Sequence, residues 1–175
     1  IVDIAVGAPG TDGMGIDRGA IYILRLNADG TVKSSNIIEN SATWNPWIAD
    51  DDSFGEDITT LGDLDGDGVV DLAVMSPGTQ GNTKVVNILK LKSDGTLKSV
   101  TRLASGKGGH PVLTATRILF SIAATGDLDG DGIVDLAISG SEAIPGNLSA
   151  CIITFLSLTA DGGIKNSTKL PALDV

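Results

Sequence analysis

Gly62-Asp63-Leu64-Asp65-Gly66-Asp67-Gly68-Val69-Val70-Asp71-Leu72-Ala73-Val74 is a tight acidic turn that runs straight into an apolar segment. It returns further along the chain as Gly126-Asp127-Leu128-Asp129-Gly130-Asp131-Gly132-Ile133-Val134-Asp135-Leu136-Ala137-Ile138. Self-similarity at a fixed period marks a repeat architecture, in which each repeat is one supersecondary unit. The first residues, Ile1-Val2-Asp3-Ile4-Ala5-Val6, match the second half of the unit, with Asp3 in the place of Asp71 and Asp135.

A second element keeps step with the first. Asp29-Gly30, Asp94-Gly95 and Asp161-Gly162 each sit between apolar runs and recur at nearly the same interval as the acidic turn. Asp-Gly in that setting signals a hairpin, because the turn needs positive φ. In the middle unit the apolar runs predict four strands, at 54–62, 69–76, 84–91 and 96–104, and the next first strand falls near 118–126. The runs are too short for ordinary helices. The reading is an all-β chain of about three four-stranded antiparallel blades of the β-propeller type, incomplete as a closed propeller. The blades cover roughly 1–50, 51–115 and 116–175 of a single repeat region. The Asp-Gly hairpins join third and fourth strands at the outer edges, and the first strands lie innermost. The stretches 41–53 and 105–117 connect blades. Trp44 and Trp47 in the first of them suit packing between blades or a sugar-stacking platform, and His110 in the second reads as a solvated loop residue.

Asp63, Asp65, Asp67 and Asp71 occupy positions 1, 3, 5 and 9 of a loop, and Asp127, Asp129, Asp131 and Asp135 do the same in the next repeat. Alternate acidic residues in a tight turn aim several carboxylates at one centre, and the backbone carbonyl at position 7, Val69 or Ile133, adds a further oxygen. An all-oxygen set without His or Cys selects a hard cation. Four carboxylates and a carbonyl favour Ca²⁺, which takes 6–8 oxygens, over Mg²⁺, which keeps most of its water. An EF-hand begins similarly but needs flanking helices and a Glu at position 12; here position 12 is Val74 or Ile138. The competing reading is a metal-free Asp-Gly turn, in which the four carboxylates repel one another. Two calcium sites are expected, and Asp67→Ala and Asp131→Ala should each remove one of them. Asp3 is a partial third site that another chain or segment would have to complete.

The formal net charge of −10 disfavours binding to phosphate backbones, so no nucleic-acid partner is expected. No apolar run approaches the ~18 residues of a membrane helix, and no membrane insertion is expected. Gly, at 23 copies, suits many tight turns. Cys151, the single cysteine, excludes an intrachain disulfide and reads as a buried, inert thiol. Asn147-Leu148-Ser149 and Asn166-Ser167-Thr168 are glycosylation sequons. The single His lacks an acid or nucleophile partner, and no Gly-x-Ser-x-Gly or phosphate loop is present. The chain is therefore expected not to be an enzyme.

These residues resemble the FG-GAP repeat, the blade unit of the integrin α-subunit propeller and of many bacterial surface and secreted proteins. Phe54-Gly55 carries the first element of the pattern, the two acidic loops the second, and Gly7-Ala8-Pro9 the last. The hairpin Asn27-Ala28-Asp29-Gly30-Thr31-Val32-Lys33 is similar to those of bacterial tandem arrays of the family. Met75-Ser76-Pro77 and Ser139-Gly140-Ser141 depart from Gly-Ala-Pro, and Ile118-Leu119 departs from Phe-Gly. The resemblance implies calcium in the loop between the first and second strands of a blade, and an extracellular or cell-surface location. Two functions stay open: a structural or adhesive module, and a carbohydrate- or protein-binding propeller that grips glycans or a surface protein. The chain holds three copies of strands two to four but two of strand one and its loop. The expectation is that other copies of the chain, or further blades of the same protein, complete it as a ring or filament.

Overall fold

The computed structural model describes residues 3–13, 15–39, 48–76, 85–104, 116–144 and 148–170. Trp44, Trp47, His110 and Asn147 fall outside the described residues. Among those described there are eleven strands and no helix. The alternation of apolar and polar residues between Gly- and Asp-rich turns produces this, since a period of two buries one face of each strand.

The strands form three antiparallel meanders. The first sheet has β1 (Ile4–Ala8), β2 (Ala20–Leu26) and β3 (Val32–Glu39). The second has β4 (Asp57–Gly62), β5 (Asp71–Ser76), β6 (Val85–Leu91) and β7 (Leu97–Ala104). The third has β8 (Thr116–Gly126), β9 (Asp135–Ile144), β10 (Leu148–Leu158) and β11 (Ile164–Lys169). None closes into a barrel, and each is a propeller-type blade. The first has three strands and lacks a counterpart of β4 and β8 among the described residues. Strands β4 and β5 start later than the apolar runs predict. Ser53 and Gly55 adopt positive φ, 50° and 95°, so Phe54 enters the core from a turn. In the acidic loop the side chains of Asp63 and Asp67 are committed to turn hydrogen bonds, and pairing resumes at Asp71.

The blades stack through alternate residues of the same strands. Leu72, Val74, Leu89 and Leu91 of the second blade meet Ile21, Ile23 and Ile38 of the first, with Phe54 and Ile48. On the opposite face Ala73, Met75, Val86 and Ile88 meet Ile122, Leu136, Ile138, Leu156 and Leu158 of the third. Every strand residue of β5 and nearly all of β6 is thus buried. The first strands lie side by side: Asp57 Oδ2 accepts bonds from the Ile122 N–H (2.8 Å) and the Ser121 hydroxyl (2.6 Å), and Thr59 Oγ1 accepts from the Ala124 N–H (3.1 Å). The Asp-Gly hairpins join β2 to β3, β6 to β7 and β10 to β11, as the period predicts.

Cys151 is a correction. It is exposed rather than buried. In β10 Ile152, Thr154, Leu156 and Leu158 turn inward, and the period of two puts Cys151 on the other face, paired across the ladder with Ser141.

The Phe-Gly and Gly-Ala-Pro elements meet at the joint between the first two blades. Phe54 is fully buried and its N–H bonds the Arg18 carbonyl at 2.9 Å. A Cβ added to Gly7 would sit 1.9 Å from the Gly55 carbonyl oxygen, so two backbones touch where no side chain fits. At the next joint both elements are replaced, and there β8, β9 and β10 run to 10 or 11 residues against 6 and 7 for β4, β5 and β6. Gly7→Ala is expected to lower stability by about 2 kcal/mol or more, because backbone must move. Gly30→Ala, with φ of +83° but no described atom within 4 Å of its Cβ position, should cost about 1 kcal/mol. Urea unfolding of both variants checks the order; equal effects would mean that the close approach at Gly7 is absent.

Candidate metal centre

Each acidic loop is wound by its own carboxylates. Asp63 accepts the N–H groups of Asp67 (2.9 Å) and Gly68 (2.8 Å). Asp127 accepts those of Gly130, Asp131 and Gly132 at 2.7–3.0 Å. These bonds hold the position-1 side chain over the loop, a role suited to Asp, whose short arm reaches its own backbone.

Position 9 does something different. Asp71 and Asp135 open the second strands of their blades and are fully buried. One oxygen of Asp71 accepts the Leu64 N–H inside the loop (3.1 Å), and the other accepts the Leu91 N–H at the end of β6 (2.9 Å). Asp135 repeats the pair with Leu128 and Leu158, both at 2.9 Å. Asp3, the counterpart in the first blade, keeps the second of these bonds, from the Leu26 N–H (3.1 Å), and lies 3.9 Å from Arg25. It is half exposed, and no other acidic residue joins it in a cluster among the described residues.

The loop turn and the position-9 anchor together bring Asp63, Asp65 and Asp71 to one point, and Asp127, Asp129 and Asp135 to another. In each trio, one oxygen per residue lies within 4.8 Å of the others. A cation with oxygens at about 2.3–2.6 Å spans that separation across its shell. Asp67 and Asp131 are not in these trios: one oxygen of each accepts the N–H of Val69 or Ile133 (3.0 and 2.9 Å). The other oxygen bonds Lys98 or Lys165. Val69 and Ile133 each send their side chains into an inter-blade core.

The electrostatics are those of a site short of positive charge. Asp65 Oδ1 is buried with no hydrogen-bond partner. The Lys98 ammonium lies 2.9 Å from the other oxygen of Asp65 while also bonding Asp67, and Lys165 lies 2.9 Å from Asp129 and 2.8 Å from Asp131. Hydrogen bonds to Asp67 and Asp65 hold the Lys98 pKa well above the ordinary lysine range, and those to Asp131 and Asp129 do the same for Lys165. Burial raises the Asp71 pKa above that of an ordinary Asp, and the charges of Asp65 and Asp67 add to this, against the two N–H bonds it accepts. The donor set, the orphaned buried oxygen and the ammonium groups standing where a cation would neutralise the cluster all fit a hard cation.

Comparison with protein families agrees with this geometry: residues 63–138, from the first acidic loop through the second, match the family model described as FG-GAP-like repeat. The chain carries an FG-GAP-like repeat. In FG-GAP terms the match runs from the loop of the second blade into the second strand of the third. Sequence reasoning missed Lys98 and Lys165, which lie far downstream of the carboxylates they touch. Their shared place one residue into the fourth strand of each blade was the available signal. Of the sequons, Asn166 is exposed on β11 with its amide oxygen accepting the Ser167 N–H (2.8 Å).

The two roles of these carboxylates separate by mutation. Asp71→Ala strands two buried N–H groups, each costing about 1–3 kcal/mol, and should destabilise the fold even in chelator. Asp65→Ala should leave the chelated protein nearly unchanged and abolish one binding site. Thermal melts in EDTA, paired with calorimetric titration, distinguish them; an Asp71→Ala protein as stable as wild type in EDTA would contradict the anchor role.

Proposed function

We propose that the chain is a calcium-binding structural repeat module, working outside the cell or at its surface as part of a larger FG-GAP assembly. The observation that carries this is the twofold occurrence of one loop whose three carboxylates converge within 4.8 Å. Asp63, Asp65 and Asp71 would hold one Ca²⁺, with Asp67 and the Val69 carbonyl available to it. Asp127, Asp129 and Asp135 would hold the second, with Asp131 and the Ile133 carbonyl. Bound calcium supplies the positive charge that the loop lacks. The chain supplies the positioning: the N–H groups of the loop fix Asp63 and Asp127, and the anchors at Asp71 and Asp135 tie the loop to the end of the third strand. The role is mechanical rather than catalytic. A cation there locks the loop between first and second strands, at the edge where adjacent blades meet.

Millimolar extracellular calcium would keep such sites filled. A ligand at 100 times its dissociation constant contributes about 2.7 kcal/mol per site. Two sites together should therefore raise the melting temperature by about 10–20 °C in a chain of this size. Differential scanning calorimetry in calcium and in EDTA reads this directly. An identical melt in both would overturn the proposal, and a larger shift with Mg²⁺ than with Ca²⁺ would overturn the choice of cation.

A further inference from the structure

Among the described residues three ammonium groups reach the loop carboxylates, and they differ in their freedom to leave. Lys98 bonds Asp65 and Asp67, and Lys165 bonds Asp129 and Asp131. Both stand near the start of a fourth strand, with side chains 39% and 47% exposed. A flexible four-carbon stem in such a place turns out into water when a cation takes over the carboxylates. Lys90 is the third. Its ammonium lies 4.0 Å from the same Asp65 oxygen that Lys98 holds, and its side chain is 12% exposed.

The confinement of Lys90 comes from its place in the blade. Strand β6 sends Val86 and Ile88 into the core shared with the third blade, and the period of two puts Lys90 on that same face. The tip of the β10–β11 hairpin closes over this face: Gly162 is buried, and a Cβ on it would lie 2.9 Å from Ile88. Asp161, at that tip, has its pKa lowered first by the Thr159 hydroxyl bond and in smaller part by the Lys90 charge. Lys90 is thus held between the acidic loop of its own blade and the hairpin of the next.

The other oxygen of Asp65, Oδ1, is buried without a hydrogen-bond partner. A cation at that oxygen leaves Lys90 where it is, and the two positive charges then share one carboxylate. In the third blade Leu158 is the counterpart of Leu91, so Ser157 stands in the place of Lys90 and brings no charge to its loop.

We infer that Lys90 is a fixed counter-charge that sets the calcium affinity of the second-blade loop, holding it well below what the same carboxylates would reach alone. The inference rests on the calcium reading of Asp63, Asp65 and Asp71. Repulsion between a single and a double charge a few ångströms apart is worth about tenfold in affinity even through a water-like dielectric. The loop trades tightness of binding for an empty state that is already partly neutralised.

The test isolates the two sites and reads Ca²⁺ affinity by isothermal titration calorimetry. In an Asp129→Ala background the second-blade loop is the one left to bind, and Lys90→Met should tighten it about tenfold. Lys90→Arg, which keeps the charge, should bind as its Asp129→Ala parent does. Lys90→Ser, the residue of the third blade, takes the place of Lys90→Met should that variant fail to fold by circular dichroism. In an Asp65→Ala background the same neutral substitution should leave the third-blade loop unchanged. Equal or weaker binding by the neutral variant in the first background, the same tightening by Lys90→Arg, or the same tightening in the second background would each overturn the inference. Parents that bind Ca²⁺ without responding to Lys90 condemn this inference alone. Parents that bind none in either background condemn the calcium reading and this inference with it.

Discussion

A buried carboxylate at the start of the second strand in the second and third blades organises this protein. Asp71 and Asp135 are fully buried, and each accepts one N–H from its acidic loop and one from the end of the third strand. A charge in such a place is costly unless it is hydrogen-bonded. Two bonds to backbone that would otherwise be stranded make it tolerable. The result is that the loop, the start of the second strand and the end of the third share one side chain. The same side chain then carries one of the oxygens that a cation would need, so stability and metal binding meet at a single atom group.

Around that anchor the blade alternates. The period of two sends Leu72 and Val74 one way and Ala73 and Met75 the other, so that the second blade is apolar on both faces. Glycines appear where two backbones or a backbone and a branched side chain must touch: Gly7 against Gly55, Gly95 against Ile23, Gly162 against Ile88. Stacking therefore depends as much on the absence of side chains at a few points as on their presence elsewhere. Among the described residues each of the two core clusters joins one pair of adjacent blades, which is the quasi-one-dimensional logic of repeat proteins.

Most of this was legible in the sequence, because the period repeats both the acidic loop and the hairpin. The strand count, the meander order and the three-stranded first sheet follow from counting motif copies. The convergence of Asp63, Asp65 and Asp71 follows from their loop positions, which also place Asp67 with them, whereas the structure turns Asp67 to the Val69 N–H and to Lys98. What escaped was set by long-range geometry. Lys98 and Lys165 meet the loops only because the fourth strand folds back beside them. The docking of each hairpin on the preceding blade depends on pairs such as Ile23 and Asn36, which sit on different strands and become neighbours only when β2 and β3 pair. Cys151 was misjudged because an apolar run, Cys151-Ile152-Ile153, hides which residues of the strand face inward, and the register with β9 decides that.

The most direct measurement is amide hydrogen exchange at the three equivalent third-strand ends, Leu26, Leu91 and Leu158, with and without calcium. Leu91 and Leu158 donate to carboxylates that share a converging trio, whereas Leu26 donates to Asp3, which does not. Added calcium should slow exchange at Leu91 and Leu158 by at least tenfold more than at Leu26, a difference of about 1.4 kcal/mol in local opening. Equal responses at all three positions, or none at Leu91 and Leu158, would contradict the coupling of the metal loop to the blade through its buried carboxylate.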